Sequence, residues 1–166
     1  MANEIKHNIM DRELKFMQEA IRLGREGMMS NAGGPFGCVV VKDDVIIGRG
    51  WNRVTSTNDP TAHAEVTAIR DACQRLQDFQ LEGCEIYTSC EPCPMCLGAI
   101  YWARPSRVYF AASREDAAGA GFDDSMIYDE LSVPMGQRKI GMVCVGKQEG
   151  VELFSFWNEK NDRVEY

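Results

Sequence analysis

A layered α/β domain, with a central sheet covered by helices on both faces, is the fold class this sequence predicts. Three observations carry that reading. The chain has 166 residues, 45% hydrophobic and 26% charged, which is enough apolar material for one buried core and too much for wholesale disorder. Stretches with helical spacing of apolar residues alternate with five short, strongly apolar runs, the pattern of a sheet between helices. No repeat, low-complexity tract or linker divides the chain, so one domain over residues 1–166 is expected.

Residues 11–28 form the first expected helix, with Leu14, Met17, Ile21 and Met28 as its apolar stripe and Asp11 as its cap. Residues 1–10 are expected as an extension ahead of it. The turn NAGGPFG leads to strands at residues 38–41 and 45–51, joined at Asp43-Asp44. Residues 63–77 carry Val66, Ile69, Cys73 and Leu76 at helical spacing. A strand at 84–88, a helix at 93–103 and a strand at 108–112 follow. The remainder reads as a helix over 117–131, a strand over 140–145, and a last helix over 151–160 with a polar tail.

Charge and termini narrow the function. The formal net charge of −7 argues against a broad phosphate-binding surface. The opening MANEIKHNIMDRELK has charges where a signal peptide needs an apolar run, and no stretch approaches membrane-spanning length. A cytoplasmic setting is expected, where thiols stay reduced; an odd count of seven cysteines also fits a disulfide framework badly.

Three of those cysteines fall in Cys90-Glu91-Pro92-Cys93-Pro94-Met95-Cys96. A Cys-x-x-Cys redox pair is one reading, because a helix N-terminus lowers thiol pKa. A metal pair is the other, and needs ligands from elsewhere. No second Cys-x-x-Cys exists, so a four-cysteine site is not visible. Of two histidines, His7 reads as a solvated residue of the charged N-terminus, whereas His63 stands in PTAHAEV at a helix start. His63, Cys93 and Cys96 give three ligands and no fourth, the pattern by which a catalytic zinc keeps an open position. Both sets fall at helix N-termini, whose positive ends favour thiolates, and Pro92 and Pro94 cost little there. Two thiolates leave such a site little net positive charge, so a nearby base is wanted, and Glu65 is the candidate. Positions i and i+2 diverge on a regular helix, so His63 and Glu65 must lie at its extreme end. Cys90 reads as a small buried hydrophobe.

His-x-Glu followed by Pro-Cys-x-x-Cys resembles the signature of zinc-dependent nucleobase deaminases. The resemblance narrows further. NDPTAHAEVTAIRDAC, YTSCEPCPMCLGAIYWARP and DAAGAGFDDSMIY, with GGPFGCVVVKDD ahead of them, are similar to bacterial-type guanine deaminases of the cytidine-deaminase-like fold, from about Asp11 onward. The zinc motif is shared with tRNA adenosine deaminases and cytosine deaminases. The acidic balance departs from the tRNA enzymes, and so does YFAASRED, where they usually carry an FGARD-type segment.

The resemblance implies a three-layer fold around a mixed five-stranded sheet, one zinc per subunit held by His63, Cys93 and Cys96, and Glu65 as proton shuttle. It places Phe36 against the purine ring, Asn52 on its edge, Ala64 bordering the substrate, and Asp124 near the exocyclic amine, where it helps move protons. It also implies a homodimer in which residues from about 150 to 166 exchange between subunits and Tyr166 covers the partner's site. The implied reaction is hydrolytic removal of the 2-amino group of guanine. Deamination of cytosine, guanosine, a triazine or a tRNA adenosine remains an alternative. So does a zinc-stabilised module without catalysis, although such a module has no use for Glu65.

Overall fold

The computed structural model describes the backbone of residues 2–166 and the side chains of residues 10–166, so the side chain of His7 lies outside the described residues. The chain divides into two compact units, Met1–Asp124 and Ser125–Tyr166.

The first unit is built on a four-stranded mixed sheet. Helix α1 (Ala2–Met29) precedes strands β1 (Gly37–Lys42) and β2 (Val45–Trp51). A short helix α2 (Val54–Thr57), helix α3 (Ala64–Leu76), strand β3 (Glu85–Cys90), helix α4 (Pro94–Ala103), strand β4 (Arg107–Ala112) and helix α5 (Arg114–Gly119) follow. The strand order is β2-β1-β3-β4, antiparallel except for the β3–β4 pair. Asp43 and Asp44 both take positive φ, 49° and 64°, the conformation a two-residue hairpin demands and one that aspartate tolerates.

Alternation along β1 sorts the core into two layers. Val39 and Val41 face α1 with Phe16, Met17, Ala20, Leu23 and Tyr87. Cys38 and Val40 face α3 and α4 with Ala64, Ala68, Ala72, Ile86 and Ile100. Helices thus cover both faces, as the sequence predicts. Helix α3 lies close because β2 offers it Gly50: a Cβ there would stand 2.2 Å from the Ala64 carbonyl oxygen.

Several expectations need correction. Helix α1 begins at Ala2, so residues 2–10 continue it and Asp11 is internal rather than a cap. Its buried stripe is Phe16, Met17, Ala20 and Leu23, while Leu14, Ile21 and Met28 are exposed. The helix carries apolar residues on more than one side, and the side with the small Ala20 approaches the sheet. Along α3 the buried line is likewise the alanines, with Ile69, Cys73 and Leu76 flanking it. The helix expected over 117–131 is two helices. The capping box of Ser113 and Asp116 starts α5 earlier, and Gly121, at φ 92°, stands beyond its end.

The second unit holds α6 (Ser125–Ser132), a 3₁₀ turn (Met135–Gln137) and α7 (Lys147–Glu159). The fifth strand expected over 140–145 is absent among the described residues. The run IGMVCV has strand propensity, but a strand is made by its pairing, and this segment has no ladder partner. Ile140, Val143, Val145, Leu153, Phe154 and Phe156 are all exposed. No described helix is long and apolar enough to cross a membrane.

Candidate active site

Helices α3 and α4 bring their N-termini together. His63 is the N-cap of α3 and Cys93 the N-cap of α4, both with extended backbone and neither with a side-chain capping bond. Their carbonyls still start the helices, accepting from Thr67 N at 2.9 Å and Leu97 N at 2.8 Å. Pro94 opens α4, where a missing N–H costs nothing. Both cap side chains are therefore left for another task. His63 precedes the helix rather than riding on it, so it and first-turn Glu65 line the same cavity despite their i, i+2 spacing.

His63 Nδ1 lies 3.5 Å from Cys93 Sγ and 3.5 Å from Cys96 Sγ, and the three ligand atoms all fall within 4.8 Å of one another. A tetrahedral ion with bonds of about 2.0 Å to nitrogen and 2.3 Å to sulfur sets its N and S ligands about 3.5 Å apart. The donor set fits zinc in both chemistry and spacing. Cys93 is lowered to about 4, first by the hydrogen bond from Cys96 and, against burial, by His63; Cys96 is raised by the same pairing with Cys93. His63 is raised, chiefly by its bond to Cys93.

Glu65 is 6% exposed. Its Oε1 accepts from Thr88 Oγ1 at 3.2 Å and its Oε2 lies 3.3 Å from Cys96 Sγ. Burial pushes this carboxyl above the usual carboxylate range, which favours a group that must both take and give a proton.

A cavity of about 230 Å³ opens on these groups, and Phe36, Asn52, His63, Glu65, Cys93 and Asp124 all line it. Phe36 meets Phe122 edge to face, ring centroids 4.9 Å apart. Asn52 Oδ1 accepts from Gly34 N at 3.1 Å and Val54 N at 3.3 Å, which leaves the Nδ2 donor for the cavity. Gly33 permits this, since a Cβ there would stand 2.2 Å from Asn52 Oδ1. Asp124 is raised, first by burial and then by the negative charge of Cys93. Ala64 is fully buried in the α3 core and does not line the cavity. Tyr166 belongs to the second unit and is exposed. Sequence reasoning missed Phe122 and Thr88. The first sits inside the quoted DAAGAGFDDSMIY segment, two residues before Asp124, and the second carries no motif of its own. Cys90 is buried, its thiol pushed up to about 11 by burial.

Sheet, helix termini and donor set together define a zinc-binding deaminase: residues 10–112 match the cytidine and deoxycytidylate deaminase zinc-binding region, and the chain belongs to that family. Among its relatives, the guanine deaminase of Bacillus subtilis (strain 168) is 54% identical over 91% of this chain and 97% of its own. The crystal structure of the Bacillus subtilis guanine deaminase superposes with a TM-score of 0.89, covering 92% of this chain and 97% of that one. The tRNA-specific adenosine deaminase of Aquifex aeolicus is more distant, 36% identical over 76% of this chain and 81% of its own. The fold expected from sequence holds in its layers and mixed sheet, with four strands in place of five.

Proposed function

We propose that this protein is a zinc-dependent guanine deaminase, converting guanine and water to xanthine and ammonia in purine breakdown or salvage. The observation that carries the reading is a buried carboxylate, Glu65, beside a three-donor metal set, both opening on one cavity. The 54% identity to a guanine deaminase selects the base.

His63, Cys93 and Cys96 would hold the zinc, and a zinc so held polarises a water molecule for attack at neutral pH. Glu65 takes a proton from the attacking water and delivers it to N3 as the oxygen joins C2. The hydroxyl now on C2 gives its remaining proton to Glu65 or Asp124, which passes it to the amine; the C2–N bond breaks, ammonia leaves, and the C2 carbonyl of xanthine remains. Phe36, backed by Phe122, packs on the flat ring. Asn52, whose Oδ1 is engaged by backbone, donates to an acceptor on the base edge.

The active form is a cytoplasmic homodimer that exchanges its C-terminal helix and tail, residues from about 150 to 166. On the first unit β4 is one of the two edge strands, and Leu97, Tyr101, Trp102 and Phe110 are exposed on α4 and β4. The second unit exposes the unpaired run 140–145 and the aromatic side of α7. A second copy supplies a cover for both, and Tyr166 then closes the partner's cavity.

Ammonia release from a panel of guanine, guanosine, cytosine, a triazine and a tRNA anticodon stem tests the substrate. Guanine should be turned over fastest. Faster release from any other member, or sub-micromolar tRNA binding in a salt-titrated gel shift, would replace guanine as the substrate.

A further inference from the structure

From the geometry we infer that Thr88 is a positioning residue for the deamination: it pins one oxygen of Glu65, so that the other alone carries the proton. This rests on the guanine-deaminase reading above.

Strand β3 sends Ile86, Thr88 and Cys90 to the face on which α3 and α4 pack. Ile86 serves there as apolar filling, and the Cys90 thiol donates to the Ser113 carbonyl at 3.5 Å. Thr88 is 1% exposed and is flanked in the sheet by Cys38 and Phe110. A hydroxyl in such a place is costly unless it is hydrogen-bonded. The Thr88 hydroxyl donates to Glu65 Oε1 at 3.2 Å.

Glu65 needs that bond because of its own position. The carboxylate hangs from a flexible side chain, and its terminal torsion is broad and roughly two-fold. Left untethered, the two oxygens exchange, and neither is held toward the substrate. Two side chains contact them here, Thr88 at Oε1 and Cys96 Sγ at Oε2, beside a hydrogen bond from the backbone of Glu65 itself. A thiolate committed to a metal has no proton to donate, so the Cys96 tether is lost in the loaded enzyme. The Thr88 tether does not depend on metal, because its hydroxyl hydrogen is its own. It is anchored in a central strand paired on both sides, so its position is fixed by the sheet. Oε1 becomes the pivot and Oε2 the working oxygen, directed to the side where His63, Cys93 and Cys96 converge. Thr88 is neither one of the three donors nor a lining residue of the cavity; it acts through Glu65, which does line it.

Thr88→Val and Thr88→Ala remove the hydroxyl while changing volume differently, and Thr88→Ser keeps it. Steady-state kinetics on guanine are measured with zinc content and thermal midpoint for each zinc-loaded protein. Loss of a hydrogen bond to a charged acceptor should lower kcat by roughly tenfold to a hundredfold. KM should stay within about twofold, since Thr88 does not meet the base. Both hydroxyl-free variants should keep one zinc per chain, and Thr88→Ser should return to within a few-fold of the parent. The proposal is overturned if a folded, zinc-loaded Val or Ala variant matches the parent's kcat. It is equally overturned if loss tracks side-chain volume, so that Ser falls with Ala, or if KM rises while kcat holds. If Val fails to fold, Ala against Ser decides alone. A parent that releases no ammonia from guanine refutes the functional reading instead, and so separates the two failures.

Discussion

Glu65→Gln exchanges one carboxylate oxygen for an amide nitrogen at nearly constant volume. The glutamine oxygen keeps the bond from Thr88 Oγ1, now 3.2 Å from Glu65 Oε1, and the nitrogen takes the place of Oε2, 3.3 Å from Cys96 Sγ. Packing and donor set are therefore preserved, and what disappears is a base. General acid–base transfer contributes about 10² to 10⁴ in rate, which at about 1.36 kcal/mol per tenfold is about 2.7 to 5.4 kcal/mol of barrier. Stability should move the other way. Burial raises the Glu65 carboxyl. An acid raised in the folded state costs stability as pH climbs from its unfolded value toward its folded one, and the cost persists at neutral pH. An amide does not carry that cost, so the variant's thermal midpoint near neutral pH should equal or exceed the parent's. Ammonia release at saturating guanine, zinc by elemental analysis and a thermal melt measure all three. More than about a tenth of the parent turnover, far above the loss expected from proton transfer, would assign the shuttle to another residue. A midpoint several degrees lower would mean that the carboxylate holds the fold rather than the reaction.

The parent should contain one zinc per chain, and Cys93→Ser and Cys96→Ser should each lose it; a Cys93–Cys96 disulfide in the purified protein would refute the metal assignment. Deleting residues 161–166 should leave a folded, zinc-loaded protein with sharply reduced guanine turnover, and Tyr166→Phe should do less damage; a full-rate truncated enzyme would show that the tail covers nothing. Glu19 is held low first by its bond from Arg22 and also by Arg49 on β2. Its contribution is present above the ordinary glutamate pKa and fades as pH falls through the lowered value, so Glu19→Gln should flatten the acid limb of a stability–pH curve. An unchanged acid limb would show that the ion pair adds nothing.

Much of the fold is legible in sequence where the signal is local. The apolar runs that became β1 to β4 are bounded by turn residues, and Asp43-Asp44 even specifies the hairpin. The inward face of α1 is not legible, because Ala20 gives a weaker hydropathy signal than the exposed Leu14 and Ile21 while packing closer. Residues 140–145 mislead for a different reason: composition reports willingness to pair and never the partner. At the site, His63, Cys93 and Cys96 are readable because a metal-donor set constrains residue type and spacing together, and Glu65 comes with them in the His-x-Glu motif. Thr88 is unreadable, since threonine is ordinary in a strand and its partner lies 23 positions away.

The metal donors with Glu65, and the remaining walls of the cavity, come from different parts of the chain. His63, Glu65 and Cys93 stand at helix starts clamped to the sheet, whereas Phe36, Phe122 and Asp124 stand in connections between elements. Connections accept insertions and replacements that a packed helix start does not. A lineage carrying this scaffold is thus free to rewrite which planar amine it admits while inheriting the chemistry unedited. Substrate drift within such a lineage should be recorded around Phe36 and Phe122, with the helix starts nearly silent.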